Sequence, residues 1–150
     1  DLFACETLPS LLEARALVRI LSSAPHIPAW LSFTCANDAT TCEGDAIEAC
    51  AALAEASPSV VAVGINCTAP RFCENLLLKM QKETAKPLVV YPNSGEQWNP
   101  NNQSWGIGPK DAPFSKLKTL LDAGARLIGG CCRVSPDDIR PLKKYRASLP

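Results

Sequence analysis

The stretch VVAVGIN, residues Val60–Asn66, decides the fold of this chain. It is apolar and rich in β-branched residues on both of its alternating faces, which is typical of a strand buried inside a parallel sheet. Helical patterns flank it: an alanine-rich helix is predicted at residues 45–56, and another from about residue 70 to residue 84. A buried strand between two helices indicates a strand–helix repeat.

The same alternation runs along the rest of the chain. The predicted strands are residues 1–5, 29–34, 60–66, 87–91 and 126–130. Each is followed by a helical pattern, and the predicted capping residues are Ser10 with Glu13, Thr68, Asp111, Gly124, and Ser135 with Pro136. Successive strand–helix units predict a parallel sheet with right-handed crossovers.

An open doubly wound sheet and a closed barrel both fit this repeat. No G-x-G-x-x-G or G-x-x-x-x-G-K turn follows any predicted strand, which argues against the nucleotide-binding doubly wound folds. Polar or cysteine residues follow every strand instead: Glu6, Thr34, Asn66 with Cys67, Asn93 with Ser94, and Cys131 with Cys132. In a (β/α)8 barrel these strand ends converge on the face that holds active sites.

The predicted fold class is therefore α/β, a partial (β/α)8 TIM barrel made of about the last five strand–helix units. A complete barrel takes roughly 250 residues, against the 150 of this chain. We expect residues 1–150 to be the C-terminal part of one barrel domain, with about three further units upstream of Asp1.

Composition excludes several function classes. Apolar residues make up 47% of the chain, and 15 basic residues balance 15 acidic ones, so no basic stripe suggests a nucleic-acid partner. The apolar runs are too short to span a bilayer, and no basic-then-apolar leader is present in the sequence. A cytoplasmic protein without a membrane partner is the expectation, and a homo-oligomer stays open.

The chain has eight cysteines, a density below that of small disulfide scaffolds. Cys5, Cys50 and Cys73 fall within predicted strands or helices, where they are expected to pack as small residues. Cys35 and Cys42 flank a polar loop and either pair or stay free. Because the helices and core do not need covalent staples, free thiols are the expectation.

Cys67, Cys131 and Cys132 follow two strands whose ends would be neighbours across a barrel mouth. Three thiolates at roughly 2.3 Å can hold zinc and leave a fourth tetrahedral position open. Consecutive strand residues point to opposite faces, so the chain has to bend, and residues 129–130, both glycine, supply the backbone freedom. Spacing alone also allows two small packed cysteines or a redox-active pair.

Three motifs carry a resemblance to a known family. GINCTAP (residues 64–70), YPNSGEQW (91–98) and GGCCRVSPDDI (129–139) closely resemble the homocysteine S-methyltransferase family. ACETLPSLLEA (4–14) and WLSFT (30–34) resemble its preceding strands, so the resemblance covers essentially the whole chain. Leu8 and Val134 depart from the isoleucine and threonine that are usual there.

The resemblance implies a zinc-containing (β/α)8 barrel that makes methionine from homocysteine. It implies that Cys67, Cys131 and Cys132 are the zinc ligands and that Glu6 holds the amino group of homocysteine. The methyl donor would be a sulfonium, S-methylmethionine first and S-adenosylmethionine second, with betaine and folate donors after them.

Such a reaction needs no further catalytic residue. A zinc-bound thiol is deprotonated, and a sulfonium donor leaves as a neutral thioether without a general acid. The single histidine, His26, lies in a proline-flanked loop and is predicted to be a surface residue.

Supporting roles have alternatives. Asn66, Asn93 and Ser94 are predicted to contact substrate, although Asn66 also suits a role behind Cys67, and Asn-Ser-Gly is an ordinary turn signal. Three roles are open for Trp98 and Trp105: to shield the donor pocket, to face a cationic donor, or to pack within their loop.

Two other functions compete with the methyltransferase. In the first, the chain is a truncated product that is inactive or needs a complementing half. In the second, it is a thiol redox module or a disulfide-stabilised binding module.

Overall fold

The computed structural model describes residues 1–106, 111 and 114–147. The strands are β1 (Phe3–Leu8), β2 (Ala29–Phe33), β3 (Val60–Asn66), β4 (Leu88–Tyr91), β5 (Trp98–Asn99), β6 (Ser104–Trp105) and β7 (Ala125–Ile128). The helices are α1 (Leu11–Leu21), α2 (Ile47–Glu55), α3 (Pro70–Met80), α4 (Leu117–Asp122) and α5 (Pro136–Ala147).

Five parallel strands form the main sheet, in the order β1-β2-β3-β4-β7, and a helix follows each of them. The spatial order of these strands is their order along the chain, so the sheet has no point at which the strand order reverses. Such a reversal defines a doubly wound sheet, whereas sequential winding is the pattern of a (β/α)8 barrel. The predicted α/β class and the five strand–helix units of a partial barrel are therefore confirmed.

The two faces of the sheet have different surroundings. Leu31, Phe33 and Ile65 point toward the helices and are fully buried in the main apolar core. The residues that alternate with them along the strands, among them Trp30 and Tyr91, line a cavity of about 240 Å³ on the opposite face. In a (β/α)8 barrel this second face is the barrel interior.

Two predicted helix caps were wrong. α3 begins at Pro70 as predicted, but its N-cap is Ala69, because the Thr68 hydroxyl instead accepts from the Cys35 amide and donates to the Asn66 carbonyl, both at 3.0 Å. Asp111 does not cap α4, which starts only at Leu117; its carboxylate lies 3.5 Å from the Arg71 guanidinium.

Two other predicted helix ends hold, and one does not. Gly124 follows the C-cap residue of α4 with φ +95°, a left-handed conformation that glycine adopts without strain. Pro136 occupies the first position of α5, and the Asp138 carboxylate accepts from the Ser135 amide and hydroxyl at 2.8 and 2.7 Å. α3 ends at Met80, not near Thr84, whose hydroxyl donates to Glu55 of α2.

The loop after β4 contains an antiparallel hairpin, β5 with β6, that the sequence pattern did not predict. Trp98 and Trp105 are directly paired in it, with ring centroids 5.5 Å apart and an interplanar angle of 64°. This edge-to-face contact is favourable for aromatic rings, and it agrees with packing inside the loop among the three predicted roles.

None of the helices in the described ranges combines the length and the apolar character that crossing a membrane requires.

The N-terminus of α1 offers a stability prediction. The Ser10 hydroxyl accepts from the Glu13 amide at 3.2 Å, as predicted for a cap. Ser10→Ala is expected to lower the free energy of unfolding by about 1 kcal/mol, because this amide loses its partner at the helix end. Urea unfolding followed by circular dichroism measures the loss. Ser23→Ala, which removes an exposed hydroxyl after the same helix, is the control, and equal losses would contradict the assignment.

Candidate metal centre

Three cysteine thiols meet at the carboxyl edge of the sheet. Cys67 directly follows β3, and Cys131 and Cys132 follow β7. The Sγ atom of Cys67 lies 3.0 Å from that of Cys131 and 3.3 Å from that of Cys132, and the last two are 3.9 Å apart. Among the described residues this is the group of cysteine, histidine and acidic side chains placed to hold a metal ion.

The backbone brings the adjacent pair together in a way that differs from the prediction. β7 ends at Ile128, so Cys131 and Cys132 lie in a turn beyond the strand, closed by a bond from the Val134 amide to the Cys131 carbonyl at 3.1 Å. The left-handed residue of this turn is Arg133, with φ +61°, whereas the glycines at residues 129–130, which were predicted to allow the bend, have no left-handed φ.

Gly130 has a steric role instead. A Cβ atom there would come within 2.3 Å of a Val134 methyl group, so only glycine allows the turn to fold back this closely. On the other strand, Cys67 itself has φ +51°, so its thiol also leaves the regular strand direction.

The pKa values of Cys131 and Cys67 are shifted in opposite directions. The hydrogen bond with Cys67 lowers the pKa of Cys131 to about 6. The same bond, followed by burial, raises the pKa of Cys67. A thiolate at Cys131 beside two more sulfur atoms is a donor set suited to a metal ion, because the thiolate is the form of cysteine that ligates metals.

Asn66 connects this edge to the end of β1. Its side chain is 1% exposed and forms two bonds with Thr7, accepting from the Thr7 amide and donating to the Thr7 hydroxyl, both at 2.8 Å. It also contributes to the lowered pKa of Cys131, after the larger effect of Cys67. Asn66 therefore lies behind the thiols and links them to the segment that carries Glu6.

Asn93 and Ser94 lie in the loop after β4. The Asn93 amide donates to the Cys67 carbonyl at 3.0 Å, and its oxygen accepts from the Gly95 amide at 2.8 Å. Ser94 is fully buried, and its hydroxyl donates to Glu96 at 2.6 Å. The structure thus places the three residues predicted to contact substrate, Asn66, Asn93 and Ser94, beside the thiols and in bonds to protein atoms.

Glu6 lies within β1, not after the strand as predicted, and it faces the cavity on the side of the sheet opposite the helices. The Tyr91 hydroxyl donates to its carboxylate at 3.0 Å. Burial raises the pKa of Tyr91 to about 12, so the phenol keeps its proton at neutral pH and remains a donor. Glu6, Trp30 and Tyr91 all line the 240 Å³ cavity.

Two buried polar atoms sit in the same region. Trp30 Nε1 and Ser32 Oγ have no hydrogen-bond partner of normal geometry, although both lie close enough to Tyr91 to lower its pKa against the effect of burial. The sequence did not indicate Trp30, Ser32 and Tyr91 as site residues. The signal that could have found the first two is their alternation with buried Leu31 and Phe33 in β2.

The remaining cysteines are free thiols, so Cys35 and Cys42 do not pair. Cys35, Cys50 and Cys73 are buried, and burial raises the pKa of each to about 12, which makes them poor nucleophiles. This agrees with the predicted packing of Cys50 and Cys73. His26 is exposed, as predicted.

The chain is similar to known proteins over nearly its whole length. Residues 1–146 match the family described as homocysteine S-methyltransferase. The chain is 46% identical to selenocysteine Se-methyltransferase of Brassica oleracea var. italica, over 99% of this chain and 44% of that protein. It is 44% identical to homocysteine S-methyltransferase 2 of Arabidopsis thaliana, over 96% of this chain and 44% of that protein.

A solved structure shows the same fold. The metallated form of the homocysteine methyltransferase MmuM from Escherichia coli superposes with a TM-score of 0.79 at 41% identity, covering 97% of this chain and 45% of that one. The chain thus spans about half the length of the relatives it matches.

Proposed function

Because the chain belongs to the homocysteine S-methyltransferase family, we propose that Cys67, Cys131 and Cys132 hold one zinc ion and that the site methylates homocysteine to give methionine. The observation that carries this proposal is the meeting of three thiols from two strands, with Sγ separations of 3.0 to 3.9 Å. They lie at the carboxyl edge of the sheet, where barrel enzymes place their active sites.

The donor set supports zinc in particular. Sulfur atoms at about 2.3 Å from a tetrahedral ion lie about 3.8 Å from one another. The three observed separations are 3.0, 3.3 and 3.9 Å, so small side-chain movements that open the triangle would fit the ion. Soft thiolates select zinc over magnesium or calcium, and three protein ligands leave the fourth position for a substrate.

The proposed chemistry is a displacement at a methyl carbon. A bound zinc ion supplies a positive charge that keeps a coordinated thiol deprotonated at neutral pH, where a free thiol with a pKa near 8.5 is mostly protonated. A new bond forms between the homocysteine sulfur and the methyl carbon while the donor sulfonium loses its bond to that carbon. The donor leaves as a neutral thioether, so no residue has to supply a proton.

We propose S-methylmethionine as the donor, and S-adenosylmethionine as the second candidate. The choice rests on how closely the motifs GINCTAP, YPNSGEQW and GGCCRVSPDDI resemble the S-methylmethionine branch of the family. Assaying methionine formation with each sulfonium at equal concentration tests the choice.

Glu6 is proposed to hold the ammonium group of homocysteine. Its carboxylate faces the cavity, and the bond from the protonated Tyr91 hydroxyl at 3.0 Å fixes its orientation. Asn66, Asn93 and Ser94 are proposed to complete the substrate pocket, chiefly by fixing the backbone around Cys67 and the loop after β4.

The role of Glu6 gives a kinetic prediction. Glu6→Gln is expected to raise the KM for homocysteine about 10- to 100-fold, because a hydrogen bond to a charged group is worth about 1.5–3 kcal/mol. Steady-state assays at saturating donor, on the chain folded together with the N-terminal half of a matching relative, measure the change. Glu43→Gln, at an exposed position, is the matched control. An unchanged KM in Glu6→Gln would contradict the assignment.

We propose that the five units are part of an eightfold barrel that further strand–helix units close. Within the described sheet, β1 and β7 each pair with one neighbour only, and an unpaired parallel edge favours association with other chains. The 150-residue chain alone is therefore expected to be inactive, and to gain activity when it folds together with the N-terminal half of a matching relative. Methionine formation by the isolated monomer would contradict this view.

The alternative of a disulfide-stabilised module leads to a different result. It predicts intramolecular disulfides in the native protein, which mass measurement after alkylation under non-reducing conditions detects. Eight alkylated cysteines, in line with the eight free thiols of the structure, would exclude it.

A further inference from the structure

Arg133 immediately follows the paired cysteines and has an unusual backbone. Its φ of +61° lies in the left-handed region, which is strained for a residue that carries a side chain. Because Arg133 lies inside the turn that the bond from the Val134 amide to the Cys131 carbonyl closes, its conformation affects the path of the backbone there. A strained residue at such a position needs contacts that hold it.

Glu96 supplies those contacts. The Arg133 guanidinium meets the Glu96 carboxylate through two parallel bonds, Nε to Oε2 at 2.6 Å and Nη2 to Oε1 at 3.1 Å. Fork-to-fork pairs of this kind fix geometry as well as charge. The Glu96 side chain is 12% exposed, and its Oε2 also accepts from the buried Ser94 hydroxyl at 2.6 Å, so the carboxylate is itself held in place.

Backbone hydrogen bonds also join the loop after β4 to the turn that carries the two cysteines. The Ser94 amide donates to the Cys132 carbonyl at 3.1 Å, and the Cys131 amide donates to the Pro92 carbonyl at 2.8 Å. The loop after β4 therefore holds the cysteine turn at both thiol-bearing residues and, through Glu96, at Arg133.

We propose that Glu96 and Arg133 are positioning residues for the metal centre. Their ion pair holds Arg133 in the left-handed conformation and thereby keeps the sulfur atoms of Cys131 and Cys132 on one side of the turn. In extended backbone the same two side chains would point to opposite faces, and only one would reach the ion. The inference rests on the proposed function, in which these cysteines bind zinc.

The test measures zinc affinity, not activity. Zinc is titrated into the 150-residue chain in competition with a chromophoric chelator, for wild type, Arg133→Ala and Glu96→Gln. Loss of an interaction that orients a ligand typically weakens metal binding about 10- to 100-fold, and we expect this range for both variants. Thermal unfolding of each variant reports whether the fold is retained.

Two further variants separate backbone positioning from charge. Arg133→Gly removes the ion pair, but glycine adopts a left-handed φ without strain, so its zinc affinity should exceed that of Arg133→Ala. Arg133→Lys keeps the charge and loses the fork, so it should bind zinc nearly as weakly as Arg133→Ala. The absorption spectrum of the cobalt-substituted protein should lose thiolate-to-metal intensity in Arg133→Ala and recover it in Arg133→Gly.

The control is Arg140→Ala, which removes an exposed ion pair with Asp137 in α5. It should leave zinc affinity unchanged. If wild type binds zinc and Arg133→Ala and Glu96→Gln bind it equally well, the positioning role is refuted while the zinc site stands. If wild type binds no zinc, the proposed function fails and this inference fails with it. If Arg133→Ala does not fold, the zinc affinity of Glu96→Gln, which keeps the side-chain shape, decides whether the positioning role stands.

Discussion

Cys131→Ser is expected to reduce bound zinc from about one ion per chain to less than about a tenth of that amount. Cys131 is the thiol whose pKa is lowered to about 6, and its sulfur lies 3.0 Å from that of Cys67. A serine hydroxyl stays protonated at neutral pH and is a poor ligand for a soft site. Elemental analysis of protein dialysed against a weak chelator measures the loss, and methyl transfer by the complemented barrel should disappear with it.

The matched control is Cys42→Ser. Cys42 is an exposed free thiol near the same edge of the sheet, and its Sγ lies 3.7 Å from the Thr34 hydroxyl. This variant should retain about one zinc per chain. Full zinc content in Cys131→Ser, or an equal loss in Cys42→Ser, would contradict the assignment of the ligands.

Gly64→Ala is expected to destabilise the chain by about 3 kcal/mol or more, the largest stability effect that we predict. A Cβ atom at Gly64 would lie 1.8 Å from the carbonyl oxygen of Val89 and 2.7 Å from its amide nitrogen. Gly64 is paired with Val89 in the sheet, so β3 and β4 would have to separate. Urea unfolding measures the loss. Because Cys67 directly follows β3, zinc affinity should fall as well.

Gly129→Ala is the control for this substitution. The nearest atom to a Cβ at Gly129 is Tyr91 Cβ at 3.6 Å, an ordinary contact, and its φ is not left-handed. Its cost should stay below about 1 kcal/mol. Equal free energies of unfolding for the two variants would show that the close approach at Gly64 does not limit stability.

The fold could be predicted largely because β3, in the middle of the sheet, is apolar on both faces and lies between two helical patterns. Val60–Asn66 was predicted with the bounds that the structure has. Strand and helix ends were less predictable wherever a side chain had two competing partners. Thr68 is a good N-cap by type, yet its hydroxyl bonds to Cys35 and Asn66, which lie far away in sequence or on the preceding strand.

The candidate site was predictable to a smaller extent. Cys67, Cys131 and Cys132 could be grouped because each follows a strand of a parallel sheet, and such ends lie at one edge. The Glu96–Arg133 pair and the Tyr91–Glu6 bond join residues 37 and 85 positions apart. The sequence around a loop or strand residue carries no signal of a partner that lies so far along the chain, because the fold brings the two residues together.

The local geometry of the turn also escaped prediction. Two glycines before a cysteine pair suggested that the glycines give the backbone its freedom to bend, but the left-handed residue of the turn is Arg133. What Gly130 provides is space for Val134, a contact that sequence cannot indicate without the path of the turn.

X-ray absorption at the zinc edge tests the central claim most directly, that three cysteines bind zinc and leave a position for the substrate thiol. Wild-type protein loaded with one zinc should show three sulfur neighbours at about 2.3 Å and one lighter atom. Addition of homocysteine should replace the lighter atom with a fourth sulfur. A zinc shell without three sulfur neighbours, or a shell that homocysteine leaves unchanged, would contradict the account.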